Sequence, residues 1–284
     1  MRDEWLELIE EYPQVAFNYK SFQGILNDRA HGFKHIYIAE PETMWPAQWD
    51  PEVLEQYDTV ITYNPTFYNQ WKSRLNLRLV QGVLACNFSR NNITDDELVP
   101  YKKKLDRCCI LNRYYELPGP PEGFIKWLLP EIATKMDADV WSPQAWGFKE
   151  RFCGTVPSPY HHSHVNQLKK IAEYRYCICF ESTYHETMSM GFITERLANC
   201  LKAGTIPIYY GCYNIKDYVP TELFIDFRKY YNPKINETYI ALKEYLQSIT
   251  EDEYNDRVRA GREWVKTCRL GSTEDLRTLL STLV

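Results

Sequence analysis

The chain has 284 residues, 44% of them hydrophobic, and a formal net charge of −5. That length suits two domains at ~150 residues each. The charge argues against a nucleic-acid partner, which calls for a basic footprint. No run approaches the ~18 uninterrupted apolar residues that cross a bilayer. The start, MRDEWLELIEEYPQ, is acidic and amphipathic and lacks a basic-then-apolar leader. The expectation is a cytoplasmic chain without a transmembrane segment, peripheral membrane contact being left open.

Short apolar runs recur along the chain. His35–Ala39 and Asp58–Tyr63 read as strands with a short helical connection at Glu52–Gln56, and Leu77–Cys86 holds a third run. The polar stretch NFSRNNITDDELVPYKKKLDR reads as a linker, with the charges of Asp95-Asp96-Glu97 and Lys102–Lys104 solvated. A second series follows. Cys108–Leu111, Ala138–Trp141, Tyr176–Glu181, Thr205–Tyr210 and Leu223–Phe227 read as strands, and Phe124–Lys135, His164–Glu173 and Ile193–Lys202 as helices. Continuous apolar strands alternating with helices predict α/β architecture, with parallel sheets covered on both faces. The predicted division is an N-terminal domain over 1–100, a C-terminal domain over 101–265 and a helical tail over 266–284.

Nine cysteines is an odd count with no paired spacing, and Cys108, Cys109, Cys177 and Cys179 sit inside apolar runs. Reduced, buried thiols are expected. The sequons at Asn87, Asn92 and Asn236 carry little weight without entry to a secretory route. The 22 Tyr and 8 Trp suit the apolar faces of sugars, but such rings more often pack cores and edges. The histidines of HHSH (His161, His162, His164) lack a nearby Cys or Asp to complete a compact tetrahedral set, so no metal site is predicted.

Residues 174–228 carry the functional signal. The strand ending at Phe180 runs into Glu181-Ser182, and ligands of open parallel sheets bind beyond strand carboxyl ends. Both residues are expected at the rim of a crevice. The next helix buries Ile193, Leu197, Cys200 and Leu201, leaving Glu195, Asn199 and Lys202 on its other side. Thr194, Glu195 and Arg196 form its first turn, where free N–H groups and the dipole favour an anion such as a diphosphate. Arg there can fork two phosphate oxygens and Glu can accept two sugar hydroxyls. Equally, Glu195 can be a dipole-favoured acid and Arg196 a solvated cation.

The succession FES, GFITERLANCLKAGTIPIYYG, NIKDYVP and FIDF resembles the donor domain of family 10 glycosyltransferases, the α-1,3/4-fucosyltransferases. The resemblance is strong over 160–228 and collinear but weaker over 34–64. It implies a GT-B fold of two Rossmann-like domains facing across a cleft, and a GDP-sugar donor, GDP-fucose in the first place. It further implies a glycan acceptor and inversion without a required metal or other cofactor. Glu195 matches the family's donor-binding Glu, and Arg196 stands where its diphosphate-binding Lys stands. Ser182 replaces Asn, Phe192 replaces Tyr, and TYHETMSM lengthens the loop before the helix. Because those changes fall in one pocket, another nucleotide-hexose donor is the alternative, as is a non-catalytic carbohydrate- or nucleotide-binding protein. Glu40, after HIYIA, matches the family's catalytic base, although by itself it reads as a surface carboxylate before a proline turn. Arg113 is the candidate for the family's diphosphate Arg, with Arg151 and Lys126 as rivals.

Overall fold

The computed structural model describes residues 4–17, 32–82, 93–113, 120–142, 149–156, 165–231 and 238–283. Its first half builds a parallel sheet in the order β1 to β4. Helix α1 (Glu4–Glu11) leads to β1 (Val15–Phe17) and β2 (His35–Tyr37); α2 (Pro51–Leu54), β3 (Thr59–Thr62), α3 (Pro65–Trp71) and β4 (Leu77–Leu79) follow. Alternation along the strands gives both faces a core. Ala16, Ile36 and Val60 are in register and face one way. Phe17, Tyr37 and Ile61 face the other way and pack against Leu8.

The second half is a six-stranded, wholly parallel sheet in the order β10-β9-β8-β5-β6-β7. Its elements in chain order are β5 (Leu105–Leu111), α4 (Leu129–Lys135), β6 (Asp139–Ser142), β7 (Phe152–Thr155), α5 (Val165–Ala172), β8 (Tyr174–Phe180), α6 (Glu195–Lys202), β9 (Ile206–Tyr210), β10 (Ile225–Asp226), α7 (Thr238–Ser248), α8 (Glu251–Thr267) and α9 (Thr273–Ser281). Cys109, Cys177 and Cys179 face the side covered by Leu168, Leu197 and Val265. Cys108, Ile110, Ile178 and Phe180 face Ile132, Leu242 and Tyr254. Parallel strands buried on both faces account for the continuous apolar runs.

Several expectations are corrected. The polar stretch before β5 is no free linker where it is described. Arg262 of α8 donates to the Ile93 carbonyl and to Asp95, and Lys169 of α5 pairs with Glu97 at 2.8 Å. Lys104 is buried, its ammonium donating to the Ala172 carbonyl at 2.6 Å. A buried ammonium needs such acceptors, and they come from elements distant in sequence. Residues 93–104 therefore pack with the C-terminal sheet. The tail crosses back instead, and Leu276 and Leu280 of α9 join Leu8, Tyr37 and Ile61 in the core of the N-terminal sheet. Arg277 secures the crossing through Glu7 and Glu11. The run Leu223–Phe227 keeps only a two-residue strand, because 3-10 turns flank it.

Helix α6 is also more enclosed than its pattern predicts. Asn199 and Lys202 are buried, because α5 and α8 both pack against the helix and the Arg262 guanidinium donates to the Lys202 carbonyl. The described cysteines are all free, and Cys108, Cys109, Cys177, Cys179, Cys200 and Cys212 are buried. Among the described residues no helix is long and apolar enough to cross a membrane. The three sequons and the HHSH histidines lie outside the described residues.

Candidate active site between the two sheets

Glu40 follows β2 on the N-terminal side. Its carbonyl accepts from Trp49 Nε1 at 3.1 Å, and Trp49 is wedged edge-on against Tyr63 and Phe67. Burial pushes the Glu40 carboxyl above the usual carboxylate range. Arg196 and Lys126 pull it down, while Glu195 and Glu181 push it further up. A residue that reads locally as a surface carboxylate thus sits in one electrostatic neighbourhood with the start of α6, 155 positions further along the chain as Glu195 is numbered.

The start of α6 is built around Glu181, the first residue beyond β8. Its carboxylate accepts from the Thr194 N–H at 2.9 Å, the Thr194 hydroxyl at 2.7 Å and the Arg196 guanidinium at 2.8 Å. Thr194 is the N-cap of α6, its hydroxyl facing the Arg196 N–H. Burial works against the Arg196 charge, but Glu195 and Glu181 outweigh it and push its pKa above the usual range. Gly211, after β9, lets Glu181 lie this close. A Cβ there would stand 2.3 Å from Glu181 Cγ, too near for any side chain.

Lys126 completes the set from the 3-10 turn before α4, and it is almost wholly buried. Burial first, then Arg196, lowers its pKa to about 7, against the pull of Glu40, Glu181 and Glu195. Two cations and three carboxylates from both halves of the chain therefore converge. Glu195 and Arg196 are only partly covered, so the α6 N-terminus keeps access to a ligand.

The remaining site expectations fall out unevenly. Glu181 and Ser182 are buried rather than on a rim. Glu181 spends its carboxylate on Thr194 and Arg196, and the Ser182 carbonyl accepts from the Ile125 N–H at 3.1 Å. Phe192 does not line an open pocket; its ring packs on Tyr63 of the N-terminal half, centroids 5.6 Å apart. Arg113 is half-buried just beyond β5. Its rival Arg151 is committed elsewhere, donating to Asp139 and to the carbonyls of Asp137 and Ala138. Lys126, another of the three cations weighed in sequence for one role, acts electrostatically on Glu40. Among the described residues no group of three or more His, Cys, Asp or Glu is arranged to hold a metal ion.

The lengthened loop has a use that the sequence did not disclose. The Asn64 side chain caps α3 through its oxygen and donates its amide to the Thr187 carbonyl at 2.8 Å. Gly191, at φ +72, lies so near the Tyr63 carbonyl that a Cβ would stand 2.4 Å from it. The segment 183–191 thus straps the two halves together beside Glu40. Its signal in the sequence was the pair of added length and glycine, neither of which names a partner.

Two parallel sheets meeting at a charged cleft define a GT-B glycosyltransferase fold. The same fold is seen in an α-glucosyltransferase in complex with UDP-glucose and DNA containing an abasic site, with TM-score 0.57 over 98% of this chain and 84% of that one, at 8% identity. The family model "Glycosyltransferase family 10 (fucosyltransferase) C-term" matches residues 135–278, and the chain belongs to glycosyltransferase family 10. It is 29% identical over 94 residues to an alpha-(1,4)-fucosyltransferase of Arabidopsis thaliana, covering 30% of this chain and 21% of that protein. It is 32% identical over 85 residues to GDP-fucose protein O-fucosyltransferase 3 of Xenopus tropicalis, covering 28% and 17%. The matching stretches thus span about a fifth of these relatives' length.

Proposed function

We propose that this chain is an inverting fucosyltransferase that uses GDP-fucose as donor and a glycan hydroxyl as acceptor, in the α-1,3 manner, with Glu40 as general base. The observation that supports it most is the placement of Glu40 opposite Arg196, Lys126 and Glu195 with a carboxyl biased toward protonation. In the transfer, the acceptor oxygen attacks the anomeric carbon as the bond from that carbon to the diphosphate breaks. The electron pair leaves with GDP, and the acceptor's proton passes to the Glu40 carboxylate. Attack from the face opposite the leaving group inverts the centre.

The charge that grows on the departing diphosphate needs fixed positive groups. The α6 N-terminus, Arg196 and Lys126 supply them in this reading, without a metal. Arg113 stands at the end of β5, where strand carboxyl ends meet the ligand. Glu195 accepts hydroxyls of the donor. Thr194 and Glu181 act behind it by fixing the first turn of α6. The test is turnover of GDP-fucose, read both as slow hydrolysis and as transfer across a glycan panel. Glu195→Ala is expected to raise the GDP-fucose dissociation constant far more than it lowers turnover at saturation. Absence of turnover from every GDP-sugar tried would overturn the enzyme reading.

One observation favours a second reading. Phe192 is turned onto Tyr63 and Ser182 is enclosed, so neither offers the hydroxyl or amide expected of a GDP-fucose pocket. A different nucleotide-hexose donor then fits, and greater thermal stabilisation by UDP than by GDP would select it.

A further inference from the structure

Beyond the carboxyl ends of β9 and β10 lies a second cavity of about 430 Å³. Tyr184, Tyr213, Asn214, Lys216, Asp226 and Arg228 contribute to its lining. Tyr213 leaves 42% of its surface exposed. Its ring lies 5.7 Å from that of Tyr184 at 32°, and Tyr184 rests in turn on Tyr210 at 4.5 Å. Arg228 forks Asp226 through two bonds of 2.7 Å and donates a third to the Tyr213 carbonyl at 2.7 Å. The exposed ring is therefore held in place from behind, through its backbone and through its neighbour ring.

A single exposed aromatic needs no explanation. A fixed pair of rings in a cavity edged by ammonium, amide and carboxylate groups is another matter, since an apolar wall with a few placed polar groups makes a ligand site. The chemistry selects among ligands. The Arg228 guanidinium already spends three donors inside the protein, and Asp217 and Asp226 line the cavity beside Lys216 and Lys229 and oppose an anion, so a diphosphate is poorly served. A pyranose offers what these groups can take: an apolar ring face for Tyr213 and hydroxyls for Lys216 and the neighbouring polar groups.

The charges acting on Glu40 are Arg196, Lys126, Glu195 and Glu181. Those beside Arg228 are Asp226 and Tyr184. Asn214 of the cavity accepts the Gly191 N–H at 2.9 Å, so the cavity adjoins the strap that borders Glu40 while holding a charge set of its own.

We propose that this cavity is a subsite for a pyranose residue of the acceptor glycan, stacked on Tyr213 and hydrogen-bonded by Lys216. The proposal rests on the glycosyltransferase reading given above, and the experiment separates the two. Full-length protein with saturating GDP is probed by saturation-transfer difference NMR with lactose and with N,N′-diacetylchitobiose, while the GDP-induced thermal shift is recorded in parallel. Wild type is expected to transfer saturation to pyranose ring protons of at least one sugar. Tyr213→Ala should reduce that signal at least fivefold and leave the GDP shift unchanged, Tyr213→Phe should retain it, and Lys216→Ala should weaken it. A signal unchanged in Tyr213→Ala, or no signal from either sugar while GDP still stabilises the protein, would overturn the subsite. Loss of the GDP shift in wild type would instead strike at the donor reading.

Discussion

Replacing Glu40 by Gln keeps the shape of the side chain and removes its ability to take a proton. General-base catalysis contributes on the order of 10²–10⁴ in rate, equivalent to roughly 2.7–5.5 kcal/mol of transition-state stabilisation. Turnover of saturating GDP-fucose and acceptor should fall by that factor. Donor affinity should stay near wild type, because a general base acts on the acceptor's proton and not on the nucleotide.

The pH dependence carries the sign. Burial raises the Glu40 pKa above 4.5, so kcat/KM should decline on the acid side through an inflection above that value, and Glu40→Gln should flatten this limb. The folded state binds a proton at Glu40 that the unfolded chain has lost between pH 4.5 and the raised pKa. The wild-type carboxylate therefore costs stability as pH rises through that window. Glu40→Gln should accordingly unfold no earlier than wild type at pH 7, giving a protein at least as stable and nearly inactive. Stopped-assay kinetics with a GDP-release readout and differential scanning calorimetry cover both sides. Full turnover in Glu40→Gln, or an equal loss of donor affinity, would refute the assignment.

Lys126, with its pKa lowered to about 7, is only partly protonated near neutral pH, and a bound diphosphate would complete its charge. GDP binding should therefore take up a fraction of a proton, measured by titration calorimetry in buffers of different ionisation enthalpy, and Lys126→Met should abolish the uptake. Arg196→Ala leaves the wholly buried Glu181 without its cation and should cost about 3–5 kcal/mol, read from urea unfolding. Gly191→Ala places a methyl against the Tyr63 carbonyl at positive φ; a loss on the order of 2 kcal/mol or more is expected, with reduced turnover because the strap beside Glu40 must shift.

The sequence carried the sheets well, because buried parallel strands leave continuous apolar runs and α6 has a 3.6-residue stripe. It did not carry β1 or β7, both edge strands: β1 is only the short run Val15–Phe17, and β7 is a half-exposed FCGT with no continuous apolar run. Nor did it reveal that Lys104 and Lys202 are buried. Their acceptors or covering helices come from α5 and α8, and a lysine's own neighbours in sequence say nothing of them. Lys126 illustrates the same limit at the site. In FIKWLLP it looks like the polar interruption of an apolar turn, and only the fold sets it before Glu40.

Glu181 shows how a correct motif can be assigned the wrong physical task. Strand-end position alone places it on a ligand crevice, and the general rule for parallel sheets supports that reading. The outcome is decided by what else lies within hydrogen-bond reach. Thr194 offers two donors and Arg196 a third, and these partners hold the carboxylate in place and offset part of its desolvation, although burial still raises its pKa. The Gly211 backbone closes over it where no side chain would fit. What Glu181 contributes is therefore indirect: an α6 N-terminus held in one orientation, with Glu195 and Arg196 in its first turn and the Arg196 charge sustained by Glu181 and Glu195.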